Sequence, residues 1–253
     1  IKKDFIPIPC SDGFVRPVIL ILLEELVESG IEEICLVLGS EEERKQYFDF
    51  FDKPLPDEHI AKLNPQCYEY EKRISEIGKR LRYVYQVEKR GFGHAVYQAA
   101  DFAGGEPVLL MLGDTIYQSH NNKPCALQLI EKYEKYNALI VGIHPVPLAD
   151  VSHYGILKGI WEDRECKVLN VSAMHEKPKA SYAEEFLSVL SQDGSKGYYS
   201  VFGQYILTPE VFEQLANDIK LSDEKGIEGE IELTSALDKV RERKGMFGVC
   251  LDG

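Results

Sequence analysis

Short apolar runs that alternate with helical patterns constrain this chain more than any other feature. Glu33–Gly39, Leu81–Gln86, Pro107–Leu112 and Ala138–Pro145 are each brief, nearly continuous and rich in Leu, Ile and Val. Runs of that length without a polar alternation suit strands buried on both faces. Between and before them lie stretches with helical character. Pro17–Ser29 carries proline in its first turn and ends at Gly30, a C-terminal cap signal. Glu41–Phe51, Tyr68–Lys79, Gly93–Ala103 and Ala126–Tyr136 follow in turn, with a proline-containing segment (Pro54, Pro56, Pro65) before the second of these. Strands that alternate with helices predict βαβ units, and so an α/β fold with a Rossmann-like, mixed but mostly parallel sheet flanked by helices.

The second half changes character. Tyr154–Lys158, Val168–Met174, Gly197–Leu207 and Phe247–Leu251 read as strands with less regular crossovers. Thr208-Pro209-Glu210 is a helix start, and Glu232–Arg243 is the last long helix, with Gly245 at its end. The expectation is a mixed sheet that continues the first and covers a ligand from the other side. No low-complexity run or linker interrupts residues 1–253, which predicts a single domain with functional halves 1–145 and 146–253.

Bulk properties exclude some classes. A formal net charge of −13 argues against a general nucleic-acid-binding surface. Nothing approaches the roughly 18 consecutive apolar residues of a membrane span, and the amino terminus has no signal-peptide pattern. Cys10, Cys35, Cys67, Cys125, Cys166 and Cys250 are scattered without a CxxC pair. They read as free thiols in a reducing, cytoplasmic compartment rather than as zinc ligands. His94, His144, His153 and His175 show no metal-ligand spacing, and no nucleophilic triad is legible.

Three constellations carry chemistry. In Arg90-Gly91-Phe92-Gly93-His94, two glycines stand at the mouth of a helix, where unpaired N–H groups and close backbone approach serve a planar or anionic ligand. The plain alternative is a strand-to-helix turn that needs glycine, and the third glycine of a dinucleotide fingerprint is absent. Asp114 follows Leu-Gly at the end of an apolar strand, a place where carboxylates hold Mg²⁺ together with phosphates; an N-cap or turn aspartate is the alternative. Glu176-Lys177-Pro178 closes a strand. There the acid can accept hydrogen bonds from sugar hydroxyls and the lysine can neutralise a phosphate; a solvated turn with a surface ion pair is the alternative. Parallel sheets bind ligands beyond the carboxyl ends of their strands, so Gln86 and Asp114 are expected in one crevice.

Set in order, these segments resemble the sugar nucleotidyltransferases, most closely the bacterial-type UTP–glucose-1-phosphate uridylyltransferases. Lys3-Asp-Phe-Ile-Pro7-Ile8 resembles that family's Lys-Glu-Met-Leu-Pro-Ile, and Gly30-Ile31-Glu32-Glu33-Ile34 its Gly-Ile-Lys-Glu-Ile. Gln86 with Gly91-Phe92-Gly93-His94-Ala95-Val96 resembles its Gln…Gly-Leu-Gly-His-Ala-Val, the most specific piece. Gly113-Asp114 stands for Pro-Asp. Tyr154-Gly155, Glu176-Lys177-Pro178-Lys179, Gly203–Leu207 and Gly229–Thr234 also fall in family order.

The resemblance implies the nucleotide-diphospho-sugar transferase fold, in a chain that lacks the family's first strand and Gly-rich loop. It implies transfer of a uridylyl group from UTP to glucose 1-phosphate with Mg²⁺, the nucleotide held by residues 1–145 and the sugar by 146–253. Gln86 would read the uracil edge, with Gly91 and Gly93 framing the base. Asp114 would bind Mg²⁺. Gly155 and Gly203 would let backbone approach the sugar, Glu176 would hold its hydroxyls, Lys177 its phosphate, and Lys3 a nucleotide phosphate. Neither nucleic acid nor membrane is an expected partner, whereas a homo-oligomer is common in such families.

The departures define competing readings. The triphosphate loop Gly-x-Gly-Thr-Arg does not occur in 1–253, and Leu251-Asp252-Gly253 stands before the family's Asp-Xaa-Gly segment with its second metal aspartate. Ser235 replaces a frequent aspartate, and Arg16 stands for a substrate-side lysine. One reading is the body of an active enzyme whose loop and second aspartate lie outside this sequence. Another is a degenerate relative that binds a nucleotide sugar or a protein partner without turnover. A third is another metal-dependent sugar-nucleotide enzyme, such as a glycosyltransferase.

Overall fold

A short hairpin opens the chain: β1 (Pro7–Pro9) pairs antiparallel with β2 (Val15–Pro17). Helix α1 (Val18–Glu28) follows, with Pro17 as its N-cap and Val18, Ile19, Leu20, Leu22, Leu23 and Leu26 buried. Its end is closed as Gly30 suggests, by the Gly30 N–H bonded to Val27 O and the Ile31 N–H to Leu26 O, each at 3.1 Å. Strand β3 (Ile34–Leu38) then lies parallel to β4 (Leu81–Tyr85), from Ile34 opposite Leu81 to Leu38 opposite Tyr85. Helices α2 (Glu41–Phe51), α3 (Asp57–Ile60) and α4 (Pro65–Lys79) span the crossover. Ser40 caps α2 by accepting from the Glu43 N–H, and Asn64 caps α4 by accepting from the Cys67 N–H. These elements make up the first of two units, Ile1–Lys89; the second is Arg90–Gly253. This computed structural model describes residues 3–162, 165, 167–191, 193–226 and 229–253. Cys166 lies outside them.

The second unit begins with α5 (Phe92–Tyr97) and α6 (Ala100–Ala103), where the sequence predicts one helix. The break falls where the N–H groups of Gln98 and Ala99 bond three residues back, to Ala95 and Val96, rather than four. Strand β5 (Val108–Met111), helix α7 (Cys125–Tyr136) and strand β6 (Leu139–Val146) form a crossover unit. Then come β7 (Gly155–Trp161), β8 (Val168–Glu176), α8 (Ala180–Tyr182), β9 (Val189–Leu190), β10 (Lys196–Leu207), α9 (Pro209–Lys225), α10 (Leu233–Lys244) and β11 (Met246–Cys250).

The main sheet runs in the order β5-β10-β6-β11-β8-β7, with β9 added to β10. The mixed α/β architecture agrees with the sequence expectation, but parallel neighbours are fewer than the alternation suggests. Among the described residues only β3 with β4 and β6 with β11 pair in parallel. The reason is β10. The crossover from β5 to β6 leaves a slot one strand wide, and β10 fills it antiparallel to both. The first half of β10 also pairs with β7, at Tyr199 opposite Leu157 and Ser200 opposite Ile156, while its second half pairs with β5. Strand β10 therefore exchanges one outer neighbour for another partway along its length. Its register against β6 slips between Val201 and Tyr205, a bulge at the point of exchange. The core beneath contains Val141, Leu157, Leu169, Leu207, Leu215 and Val240, each with almost no exposed surface.

Candidate active site

The exchange point on β10 organises the site. Gly203 lies inside the bulge at φ +79°, a left-handed conformation that glycine adopts without strain. A Cβ there would stand 2.6 Å from the Tyr117 hydroxyl oxygen and 2.9 Å from Leu112. The Gly203 carbonyl accepts from the Leu112 N–H at 3.1 Å and from the Tyr117 hydroxyl at 2.9 Å. Gly203 is thus tied to both sides of the turn that follows β5, and that turn carries Asp114 with its side chain exposed. Where β10 leaves β7 for β5, the carboxyl end of β5 and the amino end of β7 diverge. Such a fork leaves a crevice beyond the strand ends, the preferred place for a ligand in sheets of this class.

Glu176 and Lys177 lie at the other side of the fork. Glu176 is the last residue of β8 and pairs with Gly155, the first of β7. Gly155 has no Cβ, and one built there would be 3.1 Å from Glu176 Oε2 and 3.5 Å from Val201. The same carboxylate oxygen accepts from the Thr234 hydroxyl at 2.8 Å, and Thr234 is the second residue of α10. The other oxygen, Oε1, stands 3.8 Å from Lys177 Nζ. Lys177 has φ +44°, an uncommon conformation for a residue with a side chain, fixed by its N–H bonded to Tyr154 O at 2.9 Å. Tyr205, two residues past Gly203, is buried beside this pair. Its phenol is pushed well above its ordinary range, first by burial and then by the neighbouring Glu176 charge.

The glycine turn has a structural role of its own. Gly91 has φ +96°, and a Cβ on it would meet Glu230 Cβ at 2.8 Å and the Ile231 backbone at 2.9 Å. The chain segment that leads into α10 is laced to this turn. The Ile231 N–H donates to Arg90 O at 2.7 Å, and the Gly93 N–H donates to Ile231 O at 2.8 Å. Gly93 is equally crowded, by Ile231 O and Leu215. The two glycines therefore admit a second backbone, and that backbone runs on to Thr234 and so to Glu176. The partners in this link lie far apart in the chain, so no local pattern marks it.

Within the second unit, then, Gly91, Gly93, Gly155, Glu176 and Lys177 are linked through the segment 231–234, and Gly203 holds the turn that carries Asp114. Lys3 and Gln86 belong to the first unit. Lys3 opens a short 3-10 turn, and Gln86 follows β4 with its N–H on Leu38 O at 2.8 Å. Arg16 is committed elsewhere. Its guanidinium bonds to Asp12 and lies 3.1 Å from Glu24, stacked over Tyr70. These partners raise its affinity for its proton further and hold it in a salt-bridged cluster, so nothing in its surroundings marks it as a phosphate ligand. Asp252 is likewise tied to Lys167 and Asn121.

Comparison with known proteins adds to this geometry. The sequence profile of the family described as nucleotidyl transferase matches residues 8–248. UTP–glucose-1-phosphate uridylyltransferase 2 of Staphylococcus saprophyticus is 31% identical over 253 residues, covering 99% of this chain and 78% of the relative. The crystal structure of an apo UDP-glucose pyrophosphorylase superposes with a TM-score of 0.79 at 29% identity, covering 100% of this chain and 84% of that one. A UDP-glucose pyrophosphorylase complexed with UDP-glucose superposes at 0.76 with 27% identity, covering 100% and 83%.

Proposed function

From its membership of the nucleotidyl transferase family, to which this chain belongs, we propose that it transfers the uridylyl group of UTP to glucose 1-phosphate, giving UDP-glucose and pyrophosphate. The observation that carries the reading is the fork at Gly203, with the exposed Asp114 carboxylate on one side and the Glu176–Lys177 pair on the other. The names of the similar proteins supply the nucleotide and the sugar.

In this reading the phosphate oxygen of glucose 1-phosphate attacks the α-phosphorus of UTP and pyrophosphate departs, without a covalent enzyme intermediate. The chain's contribution is alignment and neutralisation of charge. Glu176 accepts hydrogen bonds from sugar hydroxyls, and Lys177 balances the sugar phosphate. Gly155 and Gly203 let backbone approach the sugar. Gln86 reads the base, Gly91 and Gly93 frame it, and Lys3 holds a nucleotide phosphate. The nucleotide is then served by residues 1–145 and the sugar by 146–253.

Mg²⁺ fits the donor set. Among the described residues no three His, Cys, Asp or Glu side chains form a metal cage, but Mg²⁺ is bound through one or two carboxylates, phosphates and waters rather than by an all-protein cage. Asp114, exposed after β5, would hold it, and the bound ion would offset triphosphate charge. Cys10, Cys35, Cys67, Cys125 and Cys250 are free thiols, in keeping with a cytoplasmic setting. No helix among the described residues is long and apolar enough to cross a membrane.

Replacing Asp114 by Ala is expected to abolish pyrophosphate release from UTP and glucose 1-phosphate while leaving the fold intact. An undiminished rate would remove the metal assignment. Thermal shifts with UTP, dTTP, ATP, CTP and UDP-glucose are expected to favour the uridine ligands. Absence of that preference would sink the uridylyl assignment, and uridine binding without turnover by the full chain would mark a binder.

A further inference from the structure

We propose that Thr234 is a positioning residue for sugar recognition: its hydroxyl pins one oxygen of Glu176 so that the other is aimed at the sugar. The inference rests on the role given to Glu176 above and adds a residue to it. The two carboxylate oxygens have different surroundings. Oε2 accepts from Thr234 Oγ1 at 2.8 Å and packs against the bare Cα side of Gly155, where a Cβ would come within 3.1 Å. Oε1 faces the exposed Lys177 ammonium at 3.8 Å. Buried Tyr205 lies beside the same carboxylate.

A glutamate side chain has three rotatable bonds, and a ligand that must align it loses that freedom on binding. Here the freedom is removed beforehand. The backbone of Glu176 is held in the β7–β8 ladder, and its carboxylate is held by a helix that begins one residue before Thr234. The first turn of α10 also favours negative charge near its free N–H groups. The Thr234–Glu176 hydrogen bond joins strand and helix, beside the packing of α10 on β8. The α10 entry is in turn fixed by the Gly91–Ile231 contacts. The pinned carboxylate is therefore pre-organised, and the arrangement selects for a neutral polyhydroxyl group beside a phosphate.

The test is Thr234→Val, which keeps the side-chain shape and removes the hydroxyl, measured with Thr234→Ser and Glu176→Ala in the full chain. Loss of a hydrogen bond to a charged group predicts a roughly tenfold rise in KM for glucose 1-phosphate. KM for UTP should not change, and kcat should fall by less than KM rises. Thr234→Ser should restore KM to within about twofold of the parent, since the donor returns. In the Glu176→Ala background Thr234→Val should add nothing, because the group it positions is gone. Unfolding temperatures report on the fold, and Thr234→Ala makes the same comparison if the valine variant proves unstable. An unchanged KM for glucose 1-phosphate in Thr234→Val, with a raised one in Glu176→Ala, would overturn the positioning role and leave the sugar-site reading standing. An unchanged KM in Glu176→Ala itself would remove the sugar-site reading and the inference with it. Equal losses toward UTP and sugar phosphate would reduce Thr234 to a structural contact.

Discussion

At Gly203 the addition of one methyl group brings two penalties together: a left-handed backbone, and a Cβ 2.6 Å from the Tyr117 oxygen. Gly203→Ala is therefore expected to lower stability by about 1–3 kcal/mol and to lower turnover more than stability, as read from urea denaturation and initial rates. Cys35 gives a pH dependence. Burial pushes its thiol up to about 11, whereas an unfolded thiol ionises near about 8.5. As pH rises through that window the unfolded chain sheds its proton first, so stability falls between those values and is unaffected below them. Urea denaturation from about pH 8 to 9.5, below the ordinary range of tyrosine, should show this decline, and Cys35→Ala should lessen it. At this scale the strand-end positions of Asp114, Glu176 and Lys177 were legible, because a charged residue at the end of an apolar run marks a strand end. Thr234 was not. Its partner is Glu176, and no local pattern couples positions so distant in the chain.

Among the elements, helix α10 does the most positioning work, since it packs on β8, α5 and α9 and brings Thr234 to the site. Leu237 is 1% exposed on its inner face. Leu237→Ala is expected to cost about 2–5 kcal/mol, seen as a lower urea midpoint without a change in slope. Helix limits were legible where chemistry marks them: Pro17 and Gly30 bracket α1, and Thr208-Pro209 begins α9. Strand directions were not. Hydrophobic runs tell that a strand is buried but not which neighbour it takes, and β10 takes four along one length. The break between α5 and α6 was hidden too, because Gln98 and Ala99 are ordinary helix residues by propensity.

For the whole molecule, the charge of −13 sets an expectation for partners. Duplex DNA should show no binding in fluorescence anisotropy at physiological salt, because a surface rich in carboxylates repels a polyanion. Saturable binding that weakens steeply with salt would contradict this. The slot that β10 fills has a further consequence, for the order of events during synthesis. Strands β5 and β6 leave the ribosome long before residue 196, and they wait with facing edges unpaired until β10 arrives. Strand β11 then closes the far side of β6 only at residues 246–250. Among the described strands the centre of the sheet is thus completed last. Refolding should be slow, as it is wherever distant segments must meet before burial rewards them. A nascent chain halted near residue 190 would carry open apolar edges, exposed to any holdase or aggregate that finds them first.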